Sequence, residues 1–118
     1  MRITIGGSRD FEDYEVFSKF VGECIKDLKP CEKITILSGH CRGTDLMAER
    51  YADEMGYGIE IYPADWKKYG RAAGPKRNMV MIENSDAVIA FRDGKSRGTK
   101  NLVEMAKKKN IPVYLKLI

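Results

Sequence analysis

The 118-residue chain holds one histidine, His40, and three cysteines, Cys24, Cys31 and Cys41, with no Cys-x-x-Cys pair among them. A structural zinc site therefore lacks ligands, and an odd, unpatterned cysteine count does not make a disulfide framework. No metal is expected. No apolar stretch reaches membrane-spanning length, so no membrane partner is expected either. The first residues, Met1-Arg2-Ile3-Thr4-Ile5, read as a strand rather than an apolar leader, which points to a reduced, cytoplasmic setting. The usual nucleotide signatures are also missing. GxGxxG does not occur, and Gly39 to Thr44 lacks the spacing of a P-loop. Ordinary dinucleotide binding is thus not indicated, and no cofactor is identified. There is no low-complexity segment and no linker, so residues 1–118 read as one domain.

Hydrophobic residues make up 43% of the chain and charged residues 32%, the balance of a globular protein. The net charge of +4 is a mild basic excess. Lys107, Lys108 and Lys109 close a helix, where they suit its dipole, and several other positive charges fall inside glycine-containing loops. So modest a charge, with few candidates for exposed aromatics, argues against nucleic acid as a partner.

Strand and helix patterns alternate from end to end. A β-rich run over 2–6 is followed by a helical pattern over 13–29, with Phe17, Phe20, Val21, Cys24, Ile25 and Leu28 on one face. A strand is expected over 33–38, a helix from about 45 to 55 with Gly56 as its left-handed stop, and a strand over 58–62 ended by Pro63. Residues 64–73 read as an irregular excursion, in which Trp66 can stack on a base or plug the core. Core packing is its expected role. Pro75 suits the first turn of a helix reaching Asn84. The unbroken apolar run Ala87-Val88-Ile89-Ala90-Phe91 suggests a central parallel strand covered on both faces. A helix over 99–109, with Asn110 as C-cap, and an edge strand over 111–117 complete the pattern. The predicted fold is α/β: a single Rossmann-like domain, a doubly wound parallel sheet of about five strands with helices on both faces, in the order 3-2-1-4-5.

Four loops in this pattern combine glycine with arginine: Gly6-Gly7-Ser8-Arg9, Ser38 to Asp45, Gly74-Pro75-Lys76-Arg77-Asn78 and Asp93 to Thr99. Glycine lets backbone N–H groups approach a ligand, and arginine offers a planar fork suited to phosphate. In a sheet of this kind, ligands sit beyond the carboxyl ends of the strands, where the strand order reverses. Gathered there, the loops are expected to make a pocket for a phosphorylated small molecule, a nucleotide or nucleotide derivative. Arg9, Arg77 and Arg97 are expected to hold phosphate. Gly7, Ser8, Ser38, Gly39, Arg42, Gly43, Thr44, Pro75, Asn78, Gly98 and Thr99 are expected to line or support the site. Arg42-Gly43-Thr44 and Arg97-Gly98-Thr99 repeat one tripeptide, in which threonine can cap a helix. Asp45 either favours its helix dipole or accepts from a ribose hydroxyl or Arg9. Cys41 lies beside Arg42 at a helix start, but only His40 could serve it as a base, so nucleophilic catalysis is not expected. His40 reads as a turn residue.

Gly7-Ser8-Arg9-Asp10-Phe11, the Ser-Gly-x-x-x-Gly-Thr-Asp run from Ser38 to Asp45, Pro63-Ala64-Asp65-Trp66, Ala73 to Asn78 with Met81, and Asp86 to Phe91 ahead of Gly98-Thr99 occur in this order. In that combination the chain resembles the YspA-like, cpYpsA-related branch of the SLOG (Smf/DprA and LOG) superfamily over nearly its whole length. The resemblance implies a Rossmann-like nucleotide pocket acting as a sensor or recognition domain. LOG-type relatives hydrolyse the N-glycosidic bond of nucleoside monophosphates, which is the alternative activity implied here. Others bind single-stranded DNA. Arg77 and Met81 match the LOG motif Arg-Lys-x-x-Met, and Gly98-Thr99 match part of its Pro-Gly-Gly-x-Gly-Thr-x-Glu. Asn101 stands where that motif carries glutamate. If the activity is present, Arg77 would orient the phosphosugar and Glu104 or Asp45 would act at the anomeric carbon or on water. Relatives often dimerise through helices beside the site, so a homo-oligomer is expected.

Overall fold

A computed structural model describes residues 1–118. Five strands, β1 (Arg2–Gly7), β2 (Thr35–Ser38), β3 (Gly58–Ile61), β4 (Ala87–Arg92) and β5 (Val113–Leu117), form one sheet in the order β3-β2-β1-β4-β5. Every pairing is parallel. The predicted fold class and strand order are both found. β4 is the strand whose five leading residues are all fully buried, as its unbroken apolar run requires.

Helices α1 (Tyr14–Leu28) and α2 (Thr44–Met55) cover one face of the sheet, and α4 (Ala73–Glu83) and α5 (Arg97–Lys109) cover the other. The first core is aromatic: Phe91 of β4 stacks on Phe11 and Phe17 at centroid distances of 5.2 and 5.1 Å. The second is aliphatic, with Leu37, Val88 and Ala90 of the sheet against Met81, Ile82, Leu102, Val103 and Ala106.

The helix ends follow the sequence chemistry. Asp13 caps α1 by accepting from the Val16 N–H, and Gly56 and Asn110 end α2 and α5 with positive φ of 73° and 61°. Lys109 Nζ reaches back to the carbonyl oxygens of Ile82, Glu83 and Ser85, which ties α5 to the end of α4. At the edge of the sheet opposite the glycine loops, Arg2 holds Glu60 through both Nη atoms at 2.5 Å and donates to the Asn84 carbonyl through Nε at 2.7 Å.

Two expectations need correction. The last helix begins at Arg97 rather than Thr99, because the Ser96 hydroxyl accepts from the Thr99 N–H and is the cap. The excursion after Pro63 is ordered as a short helix, α3 (Trp66–Tyr69), and a 3₁₀ turn over Gly70–Ala72, with Asp65 capping the former. It buries no side chain, so Trp66 does not plug the core.

Candidate functional site

The glycine loops gather at the carboxyl edge of the sheet because β1, β2 and β4 all end there in parallel. β1 lies between β2 and β4, and the chain leaves it toward α1 on one face while β4 leads to α5 on the other, so a crevice opens above β1. The loop after β1 is fixed from three sides. The Ser8 N–H donates to the Phe91 carbonyl at 2.9 Å, its hydroxyl donates to Asp93 at 2.7 Å, and its carbonyl accepts from both the N–H and the hydroxyl of Thr44 at 3.2 and 2.9 Å. This crossing is so close that a Cβ on Gly7 would lie 2.3 Å from the Phe91 carbonyl oxygen. Gly43, at φ 78°, is equally tight against the backbone of Arg9.

Arg77 forms part of the floor. Its Nη1 donates to the carbonyl oxygens of Gly39 at 2.7 Å and Tyr62 at 3.3 Å, and its Nε donates to Asn78 Oδ1 at 3.0 Å. Asn78 in turn donates to the Gly98 carbonyl at 3.2 Å and to Asn101 Oδ1 at 3.1 Å. The loop after β2 and the first turns of α4 and α5 are thereby joined through two adjacent side chains. Gly39 leaves room for the guanidinium, since a Cβ there would lie 2.4 Å from Arg77 Nη1.

Asp45 lies beside this floor, 7% exposed, with Oδ2 accepting from the Cys41 N–H at 3.2 Å. Burial pushes its carboxyl up to about 6, against the opposing pull of the Cys41 and Gly7 N–H groups and the Arg77 guanidinium. Behind it, the Ser38 hydroxyl bridges Glu49 Oε2 at 2.8 Å and the Asp45 carbonyl at 3.2 Å, and Glu49 also holds His40 Nδ1 at 2.9 Å. His40 is a left-handed turn residue at φ 60° with its ring partnered, as its position in the loop suggested. Asp93 spends its carboxylate on the Ser8 hydroxyl and the N–H groups of Lys95 and Ser96, which hold its pKa below the usual range.

The resulting cavity measures about 690 Å³. Of the residues expected at the site, Gly7, Ser8, Arg9, Arg42, Asp45, Pro75, Arg77, Asn78, Arg97, Gly98 and Thr99 line it together. Ser38, Gly39, Gly43 and Thr44 stand behind the wall, where they carry the loops rather than face the opening. Glu104 does not join the cavity. It sits one helical turn beyond Asn101, on the solvent side of α5, 4.0 Å from Lys100. The lining also includes Asp10, Arg71, Lys95 and Trp66. Trp66 is 49% exposed at the mouth, with the Arg9 guanidinium 5.9 Å from its ring centre. Next to it Tyr69, also partly exposed, has Lys68 and Lys76 within 5.1 and 4.8 Å of its ring. The sequence reading missed Trp66 at this mouth, and the signal that could have found it is its place in an irregular segment, just before Lys67 and Lys68.

Known proteins resemble the chain in sequence and in fold. The family described as "YspA, cpYpsA-related SLOG family" matches residues 1–69. Gene 61 protein of Mycobacterium phage D29 is 36% identical over 86 residues, covering 68% of this chain and 69% of that protein. Among solved structures, DNA processing protein A (DprA) from Streptococcus pneumoniae superposes with a TM-score of 0.73 at 19% identity over 97% of this chain, and DprA from Helicobacter pylori with 0.69 at 21% over 98%. The chain spans 49% and 64% of the lengths of those two DprA chains. The Helicobacter structure is described as revealing a single-stranded DNA binding mode. That finding corrects the expectation set against nucleic acid as a partner: a neighbour that shares the fold binds single-stranded DNA. The premise of few exposed aromatics also fails, since Trp66 at the cavity mouth and Tyr69 beside it are both exposed. No helix is long and apolar enough to cross a membrane.

Proposed function

The chain belongs to the YspA, cpYpsA-related SLOG family, and from that premise we propose that its cavity binds a nucleotide or nucleotide-derived phosphorylated ligand, as a cytoplasmic sensor or recognition domain. One observation carries the reading. Six cationic side chains line a cavity that holds three carboxylates, and five of them, Arg9, Arg71, Arg77, Lys95 and Arg97, have no carboxylate within 4.0 Å. Unpaired arginines grouped in a crevice are the expected complement of phosphate. Isothermal titration with AMP, ADP-ribose and ribose 5-phosphate tests it: saturable heat is expected with at least one of them, and silence with all three overturns the reading.

Asp45 favours a second reading, N-glycosidic hydrolysis of a nucleoside monophosphate. It is the one buried carboxylate in the cavity, and a carboxyl poised near 6 can exchange a proton at neutral pH. Water would add at the anomeric carbon as the base departs with a proton, with Arg77 orienting the phosphosugar. Release of free base from AMP, lost in Asp45→Asn and kept in Glu104→Gln, supports it. AMP recovered intact after prolonged incubation overturns it.

A further inference from the structure

The charges in the cavity are not spread evenly. On one side of the loop after β1, Arg9, Arg42, Cys41 and Trp66, all of them lining the main cavity, also border a shallow open depression of about 250 Å³. On the other side stand Lys95 and Arg97, carried by the loop from β4 into α5. β2 and β4 flank β1, so the loops that follow them are separated by two strand spacings, about 10 Å. The carboxylates do not cancel these groups. Asp93 and Asp45 are turned toward the protein's own donors, and Asp10 reaches only Arg42, at 3.4 Å between two exposed side chains. A monophosphate could neutralise one cluster and would leave the other without a counter-charge.

We infer that the cavity has two anion subsites, one on each side of the β1 loop, and that its ligand is a nucleotide unit with a phosphoryl group at each end of the sugar. This rests on the nucleotide-binding reading above and sharpens it. Arg9 and Arg42 take one phosphoryl group, and Lys95 and Arg97 take the other. Asp45, on the floor, keeps its carboxylate on the Cys41 N–H, and it is the one buried negative charge in the cavity. Trp66 edges the Arg9–Arg42 subsite and can cover the base of the same unit. Such a unit exists as a free nucleoside 3′,5′-bisphosphate and as one internal residue of a single strand.

Trp66 is the only tryptophan, so its fluorescence reports occupancy of the mouth. The probes are adenosine 5′-monophosphate, adenosine 3′-monophosphate, adenosine 3′,5′-bisphosphate and a 5′-phosphorylated single-stranded tetranucleotide, titrated against wild type, Arg42→Gln and Arg97→Gln. The bisphosphate is expected to bind at least about tenfold more tightly than either monophosphate. Each variant should reduce the bisphosphate to monophosphate affinity. Arg42→Gln should weaken one monophosphate and spare the other, and Arg97→Gln should do the reverse. Both arginines are exposed, and an unchanged melting temperature confirms the variants are folded. A tetranucleotide that binds more tightly than the bisphosphate identifies a strand as the source of the unit. Equal or weaker binding identifies the free nucleotide, and the two subsites stand in both cases. If the bisphosphate binds no better than a monophosphate, or each variant weakens both monophosphates alike, there is a single subsite and the inference falls while nucleotide binding survives. If nothing binds, both fall.

Discussion

Replacing Asp45 with asparagine should make the protein more stable at neutral pH and less able to bind. The carboxyl is raised from 3.8 to about 6, and burial is the leading cause. Such a shift means that the folded state disfavours the ionised form. Below about pH 3, Asp45 is largely protonated whether the chain is folded or not, and almost no cost arises. Between about 3 and 6 the unfolded chain ionises first, so stability is lost as pH rises. Above about 6 the full cost is present, roughly 3 kcal/mol from a shift of about two units. Asparagine keeps an oxygen that can accept from the Cys41 N–H but carries no charge to desolvate, so the variant should recover about 1–3 kcal/mol at pH 7.5 and nearly none at about pH 3. Urea unfolding of both proteins at the two pH values isolates the effect, because other titrating groups cancel in the difference. A stability difference that is the same at both pH values would refute the reasoning. So would a variant less stable at pH 7.5, which would mean that Arg77 and the two N–H groups outweigh burial. A buried charge kept at such a cost marks a group retained for something other than stability.

Gly39→Ala should push the Arg77 guanidinium off the Gly39 carbonyl, since the new Cβ would start 2.4 Å from Nη1. Ligand affinity by calorimetry is expected to fall about tenfold or more, with a smaller loss of stability, because a side chain rather than backbone must give way. Gly7→Ala places a Cβ 2.3 Å from the backbone oxygen of Phe91. It should cost about 2–4 kcal/mol in chemical denaturation, because β1 must separate from β4 to admit it. Trp66→Ala should change unfolding free energy by no more than about 0.5 kcal/mol, as expected of a half-exposed side chain that packs in no core, yet weaken ligand binding measured by calorimetry.

Much of the architecture was legible because each strand ends in a turn whose chemistry is local. The apolar run 87–91 marked the central strand, Gly56 and Asn110 marked helix ends, and the order 3-2-1-4-5, assumed from the habit of such folds, is the one found. Convergence of the arginine-bearing loops followed from that order. What escaped depends on side-chain direction. Ser96 and Thr99 are both fit to cap α5, and only the fold shows that the serine does so. Glu104 shares a helix with Asn101, but an extra turn carries it away from the cavity mouth. Trp66 has the composition of a core residue, yet α3 packs too lightly to bury it. Glu49 gave no sign of its role, because its partners Ser38 and His40 meet it only once α2 lies against the loop after β2.

Arg77 is braced by the Gly39 and Tyr62 carbonyls and by Asn78 before any guest arrives. Arrival then requires no assembly of that surface, and capture rates should follow ionic strength rather than a slow rearrangement. Under the function proposed above, a recognition domain built this way would follow a falling ligand concentration as promptly as its guest can leave.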